Sequence, residues 1–214
     1  MLGQSISRNS IILGVFALLA AAGLALTNLA TQDRISKAER AAKQKALFEI
    51  ISADQLDNDL LQDIIEIPAS THEQLGVDTK QVIYIARRQG QVTALIIPAM
   101  AHDGYSGDIS MIVGVNRNLT IAGVRVIAHK ETPGLGDKIE IKKSQWIVNF
   151  NGKSLQAPIT SEWLVKKDGG VFDQFAGATI SPRAMVKKIR EVLEFAQAHP
   201  ELFDTPVQTG EHHE

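Results

Sequence analysis

Residues 11–31 read IILGVFALLAAAGLALTNLAT, without one charged side chain. Charge resumes only at Asp33 and Arg34. As an α-helix, 21 residues rising 1.5 Å each cover about 30 Å, the thickness of a bilayer hydrocarbon core. In lipid the backbone must satisfy its own polar groups, so such a run is confined to a helix. A cleaved signal peptide is the competing reading, but the apolar stretch is long for one and the small-residue cleavage pattern around Asn28, Leu29 and Ala30 is poor. The sequence therefore predicts an uncleaved, single-pass anchor at 11–31 behind a short segment at 1–10, followed by one globular domain of ordinary size.

Charge around the span gives an orientation of its own. Arg8 and the terminal amine precede it, while Arg34, Lys37, Arg40, Lys43 and Lys45 follow, and a count of positive charges alone places the domain in the cytoplasm. A net charge of −2 and the lack of a dense basic run give no reason to expect nucleic acid. Cys is absent, which removes disulfides and Cys-ligated zinc or iron–sulfur centres from this chain. Any electron chemistry must then come from a bound organic cofactor or a partner.

Past the span, residues 32–66 read as juxtamembrane helices. Ile35, Ala38, Ala42, Leu47, Ile50 and Ile51 form the apolar positions of the first, and Asp54 is placed to cap a second carrying Leu56, Leu60, Leu61, Ile64 and Ile65. A solvated amphipathic surface is the simplest role for them. Segments 81–87 and 91–99 flank Gln89-Gly90, and 109–115 and 119–128 flank Asn116-Arg117-Asn118; both pairs read as hairpins of β-branched strands. The expected assembly is a twisted antiparallel sheet with one buried face, in an α+β domain over 67–198. Residues 102–108 are too rich in Gly and Asp for regular structure and are expected to form a loop. A helix is predicted over 137–150, a short strand over 162–165 and a final helix over 182–198, with Met185, Ile189, Val192, Leu193 and Ala196 facing inward and Lys187, Lys188, Arg190 and Glu191 mainly outward. The polar tail over 199–214, ending in Glu211-His212-His213-Glu214, is expected to be loose.

Two stretches carry candidate chemistry. Asp173-Gln174-Phe175-Ala176-Gly177-Ala178-Thr179 is a small-residue loop that leads into Ser181, a candidate cap, and Pro182, suited to the first helical position. Taken alone, these residues fit a capped helix after a turn. That is the simpler reading; the other is a cradle that offers a phosphate the positive end of a helix dipole. The second stretch is Glu131-Thr132-Pro133-Gly134-Leu135-Gly136, where Pro and Gly can hold Thr132 and Leu135 out toward a ligand.

Asp173, Gly177, Ala178 and Thr179 resemble the Asp-x-x-[Ser/Thr]-Gly-Ala-[Thr/Ser] motif of bacterial FMN-binding domains that carry flavin covalently. Ala176 departs from the Ser or Thr of that motif. Residues 131–136 resemble the companion segment of the G subunit of the Rnf (Rsx) ion-translocating complexes, related to the C subunit of the sodium-pumping quinone reductase. The resemblance implies FMN in phosphoester linkage to Thr179, with Glu131, Thr132, Gly134, Leu135, Gly177 and Ala178 around it. It implies attachment by a separate flavin transferase using FAD and magnesium, which reads Asp173, Gly177, Ala178 and Thr179. It further implies a redox subunit with no stand-alone catalytic site and no resident metal, held in the bacterial inner membrane with its domain on the periplasmic side, against the charge count. Its partners would be other Rnf subunits and the lipid bilayer. A tethered scaffold or redox sensor, or the quinone-reductase subunit itself, are the alternatives. No Gly-x-Gly-x-x-Gly fingerprint follows a strand, which argues against direct NADH binding.

Overall fold

The computed structural model describes residues 2–51 and 56–206, with the side chains of 2–9, 28, 29, 33 and 35–44 left out of the description. Two compact units divide the chain, Met1–Lys43 and Gln44–Glu214. Helix α1 (Leu2–Ile50) supplies the first. Within it, Ser10–Gln32 is long and apolar enough to cross a membrane. Thr27 and Thr31 donate their hydroxyls to the carbonyls four residues back, of Gly23 and Thr27, at 2.8 Å each. Those bonds satisfy the polar atoms of an apolar helix from within.

The second unit is built on a five-stranded antiparallel meander, β1 (Ile64–Glu66), β2 (Val82–Arg88), β3 (Gln91–Gly104), β4 (Gly107–Asn116) and β5 (Ile121–Ala128), in that spatial order. A one-turn helix α2 (His72–Leu75) precedes β2, and α3 (Ile180–Ala198) follows the sheet. The α+β class expected from the sequence is the one found. Gln89 and Gly90, at φ 52° and 75°, form the tight turn of the β2–β3 hairpin, the backbone conformation that matches strand twist.

Both faces of the sheet are buried, not one. Alternation along the strands sends Ile83, Ile85, Leu95, Ile97, Met111 and Val113 to one side, where they share a core with Met185, Ile189, Val192, Leu193 and Ala196 of α3. Tyr84, Ala86, Ala94, Ile96 and Ile112 point the other way and pack with Leu47, Ile50, Ile51 and Leu60. Gly114 and Gly123 sit opposite each other on β4 and β5, and a Cβ on Gly114 would fall 2.3 Å from Ile50. The end of α1 is thus seated on two glycines, and the surface amphipathic helix of the sequence reading becomes core at its last turn. The side chains of Ile35, Ala38 and Ala42 lie outside the described part.

Several predicted elements take another form. The second juxtamembrane helix is absent among the described residues: 56–63 are irregular, with a turn at 60–62, and Ile64 and Ile65 pair with β2 as an edge strand. Asp54, its expected cap, lies outside the described residues. The loop expected at 102–108 is shortened to a two-residue tip at Tyr105-Ser106, because β3 extends through Gly104 and β4 starts at Gly107. The helix expected over 137–150 is two 3-10 turns, Gly136–Ile139 and Gln145–Phe150. The short strand over 162–165 reduces to one parallel bridge from Val165 to Phe172. Lys188, placed outside by the helical pattern, is buried, with Nζ donating to the Gln74 carbonyl at 2.8 Å and paired with Glu191 at 2.5 Å.

Packing of aromatic rings replaces regular structure between β5 and α3. Phe150 stacks on Phe172 at 4.6 Å between centroids, Trp163 lies 4.9 Å from Phe172, and Trp146 meets Phe150 and Phe175 edge-on at 5.1 and 5.2 Å. Both indoles are hydrogen-bonded, Trp146 to the Asp173 carbonyl at 2.7 Å and Trp163 to that of Ser154 at 3.0 Å. The segment after α3 is also packed: Leu202 and Phe203 are buried in the 3-10 turn Pro200–Asp204, so the expected loose tail does not start at 199. Residues 207–214, including the two His of the terminal cluster, lie outside the description.

Two arginines hold that segment. Arg117 donates to the Phe203 carbonyl and pairs with Asp204. Arg87, 2% exposed, pairs with Asp63 at 2.7 Å and donates to the carbonyls of Thr205 at 2.7 Å and Pro206 at 3.1 Å. Removing one partner of a buried pair strands the other, at a cost of about 3–5 kcal/mol. Arg87→Ala is accordingly expected to lower unfolding stability on that scale while Arg88→Ala, at an exposed neighbour, stays within about 0.5 kcal/mol; denaturant titration followed by the buried Trp146 and Trp163 measures both.

Candidate functional site

The cleft lies at the end of the sheet where the β3–β4 tip, the exit of β5 and the start of α3 meet. Its volume is about 290 Å³, and its walls are Tyr105, Glu131, Thr132, Leu135, Gly136, Gly177, Ala178, Thr179, Ile180 and Ser181. Two stretches over 40 residues apart in sequence therefore share one cavity.

Glu131 is the hinge pin of the arrangement, with 4% of its surface exposed. Oε1 accepts the Ser106 N–H at 3.1 Å, and Oε2 accepts the Ser181 hydroxyl at 2.6 Å. One carboxylate thereby joins the hairpin tip to the first turn of α3. Its backbone is fixed as well, since the Glu131 N–H donates to His129 Nδ1 at 2.9 Å. An accepting Nδ1 leaves the proton of a neutral imidazole on Nε2, which faces Glu140 at 2.6 Å. Glycines make room for the carboxylate: a Cβ on Gly104 would stand 2.8 Å from Oε1, and one on Gly136 2.6 Å from both Oε2 and Ser181 Oγ.

The 131–136 segment is a turn closed by two bonds to the Thr132 carbonyl, from the Leu135 and Asp137 amides at 3.1 and 3.4 Å. Gly134, at φ 78°, does not line the cleft; its N–H donates to Asp137 Oδ1 at 2.8 Å. Its contribution is the left-handed backbone that turns Thr132 and Leu135 into the cavity.

On the opposite segment, Phe175 and Ala178 close a turn through an N–H···O bond of 3.1 Å, and Gly177 adopts φ 76° inside it. Phe175 is anchored in the ring cluster, so the loop is carried on aromatic packing. Ala176 is exposed on this turn, where the family motif has a hydroxyl. Asp173 is also outside the cleft: it pairs with Lys166 at 2.6 Å on the surface.

Helix α3 starts at Ile180, not at Pro182. Thr179 is the residue preceding it, half-exposed, and its side chain makes no capping hydrogen bond. Ser181, expected to be the cap, lies inside the first turn and gives its hydroxyl to Glu131. The amides of Ile180 and Ser181 have no acceptor within the helix, and Pro182 has no N–H to satisfy. An uncommitted hydroxyl next to two such amides at a positive helix end suits a phosphate group. Tyr105, Leu135 and Ile180, exposed by 67%, 43% and 42%, leave apolar surface around the cavity, as a flat organic ring requires. The residues present, a hydroxyl at a helix start beside a partly apolar cleft, thus fit a group of the chemical kind of a flavin mononucleotide. Sequence reasoning missed Tyr105, Gly136, Ile180 and Ser181 as cleft residues: only the tertiary fold carries the hairpin tip to α3, and from the chain alone Ser181 reads as a cap.

Residues 104–194 match the FMN-binding domain family, and residues 1–50 match the RnfG N-terminal region. The G subunit of the ion-translocating oxidoreductase complex of Pseudomonas aeruginosa strain UCBPP-PA14 is 44% identical over 209 residues, covering 98% of this chain and 97% of that protein. The G subunit from Vibrio vulnificus is 40% identical, covering 99% of each, and that from Shewanella amazonensis 42%, covering 95% and 94%. This chain belongs to the family of G subunits of ion-translocating oxidoreductase complexes. The FMN-binding match runs from Gly104 at the hairpin tip into α3, where it ends at Glu194, and so encloses every residue lining the cleft.

Two predictions concern the site's frame. A methyl group on Gly136 has to displace the Glu131–Ser181 bond, so Gly136→Ala is expected to cost about 2–3 kcal/mol, whereas Gly134→Ala meets open space and bears only the left-handed backbone penalty of about 1 kcal/mol; urea unfolding separates them. The second concerns Asp168, which Arg183 on α3 grips through two bonds, at 2.6 and 2.9 Å. That hydrogen bond and charge hold the Asp168 carboxyl below its ordinary value. The folded state then binds this proton less readily than the unfolded chain, so the stabilisation is present above about pH 4 and is lost as pH falls through the depressed value. Melting temperatures of wild type and Asp168→Asn should differ at neutral pH and converge in acid.

Proposed function

We propose that the chain is the electron-carrying flavoprotein subunit of an Rnf-type ion-translocating complex, with FMN joined through its phosphate to Thr179 Oγ1. The observation that carries this reading is the convergence of Glu131, Thr132, Leu135 and Gly136 with residues 177–179 on one cleft, with the Thr179 hydroxyl making no capping bond at the start of α3. Bound FMN supplies reversible transfer of one or two electrons, and the chain supplies position and surroundings. The first-turn amides of Ile180 and Ser181 steady the diester's remaining negative charge, worth a few tenths to about 1 kcal/mol. Thr132 offers a hydroxyl and Leu135 an apolar face toward the ring. Glu131 acts through Ser106 and Ser181 by fixing the two walls, which gives it a positioning part, and Gly134 shapes the turn from outside the cavity.

A threonine hydroxyl is a weak nucleophile that needs a base or metal to activate it, and the described residues around Thr179 include no free base. Attachment is therefore assigned to a separate flavin transferase. Its reaction forms a bond from Thr179 Oγ1 to the FMN phosphorus of FAD and breaks the pyrophosphate link, releasing AMP and the threonine proton. The exposed Asp173, on the surface beside the Gly177-Ala178 turn, is available to that enzyme in a way a cleft residue is not. On this reading the helix Ser10–Gln32 anchors the protein in the inner membrane by a single pass, with the domain on the periplasmic side and the other Rnf subunits as electron partners.

Production of the full chain together with a flavin transferase is the direct test. Denatured wild type should retain flavin at the mass of FMN less water, localised to the peptide around Thr179, and Thr179→Ala should retain none. Release of all flavin from the wild type by denaturant overturns the covalent reading.

A further inference from the structure

Tyr105 is left open by its own chain. It occupies the tip of the β3–β4 hairpin, its side chain is 67% exposed, and it forms part of the cleft wall. The tip that presents it is nevertheless pinned. Gly104 pairs with Gly107 across the turn, the Ser106 N–H is held by buried Glu131, and a Cβ on Gly104 would meet the Gly107 carbonyl at 2.3 Å. A phenol ring is thus carried over the cavity on a two-residue turn whose backbone has little freedom.

Three large side chains with apolar surface bound the cavity, and Tyr105 alone among them has a π face. On the reading just proposed, the phosphate sits at Thr179, and the ribityl chain carries the flavin ring several bonds away from it. The ring must then lie where flat apolar surface is available, against Leu135, Ile180 and Tyr105. Aromatic systems gain from offset stacking beyond the area they bury. We infer that Tyr105 is the aromatic cover of the flavin ring, stacking on one face and keeping water from it.

The test uses the full chain, matured with flavin transferase, as wild type, Tyr105→Ala and Tyr105→Phe. Covalent flavin content is measured first in denatured samples, where wild type without flavin overturns the functional reading and this inference with it. In folded protein, a stacked phenol donates an electron to the excited flavin and darkens it. Wild-type emission should be several-fold below that of the same sample denatured. Tyr105→Ala should restore most of the emission and open the flavin to quenching by iodide. Tyr105→Phe should emit more than wild type yet keep its protection from iodide, since a phenyl ring covers without readily donating. Unchanged Trp emission shows that the exposed tip was altered without harm to the core. Tyr105→Ala with full flavin content, wild-type emission and wild-type iodide access overturns this inference and leaves the functional reading standing.

Discussion

A buried carboxylate holds the site together. Glu131 accepts from the Ser106 amide and from the Ser181 hydroxyl, and so fastens a hairpin tip to the first turn of a helix about 75 residues further along the chain. Buried acceptors are costly when unpaired, which makes the closed arrangement the one that satisfies them. Gly104 and Gly136 press on the same carboxylate from two sides. With Glu131 in place, the walls of the cleft have a fixed separation.

The loop that bears Thr179 is held differently. Little regular structure lies between β5 and α3, and the backbone there depends on stacked rings of Phe150, Trp163 and Phe172 with Trp146 and Phe175 edge-on beside them. Aromatic side chains bury large areas with few rotatable bonds, so a handful of them can order an irregular segment. The indole of Trp146 reaches the Asp173 carbonyl and fixes the beginning of the loop, while Phe175 fixes its middle. Gly177 is then free to take the left-handed turn that leaves Thr179 at the helix end.

The sheet joins these two devices to the rest of the domain. Its α3 face positions the helix whose first turn forms the cleft, and its opposite face accepts the end of α1 at the Gly114–Gly123 pair. A sheet buried on both faces has a single compatible register, because a one-residue slip exchanges the two sets of side chains. That rigidity is inherited by the strand ends at which the hairpin tip and the 131–136 turn begin.

The hairpins at Gln89-Gly90 and at 116–118, the amphipathic α3 and the apolar span of 11–31 were legible in the sequence, because period and turn chemistry are local properties. Gly177 and Thr179 stood out through resemblance to a family motif, and the left-handed turn at Gly177 answers a local backbone demand. What the chain order does not contain is distance between remote segments. The two buried faces, the ring cluster in place of a helix at 137–150, the packed segment after α3, the shift of Ser181 from cap to partner of Glu131, and the entry of Tyr105 into the cleft all rest on contacts between residues far apart in sequence. Periodicity reports which side of an element is apolar. Only the folded chain decides what covers it.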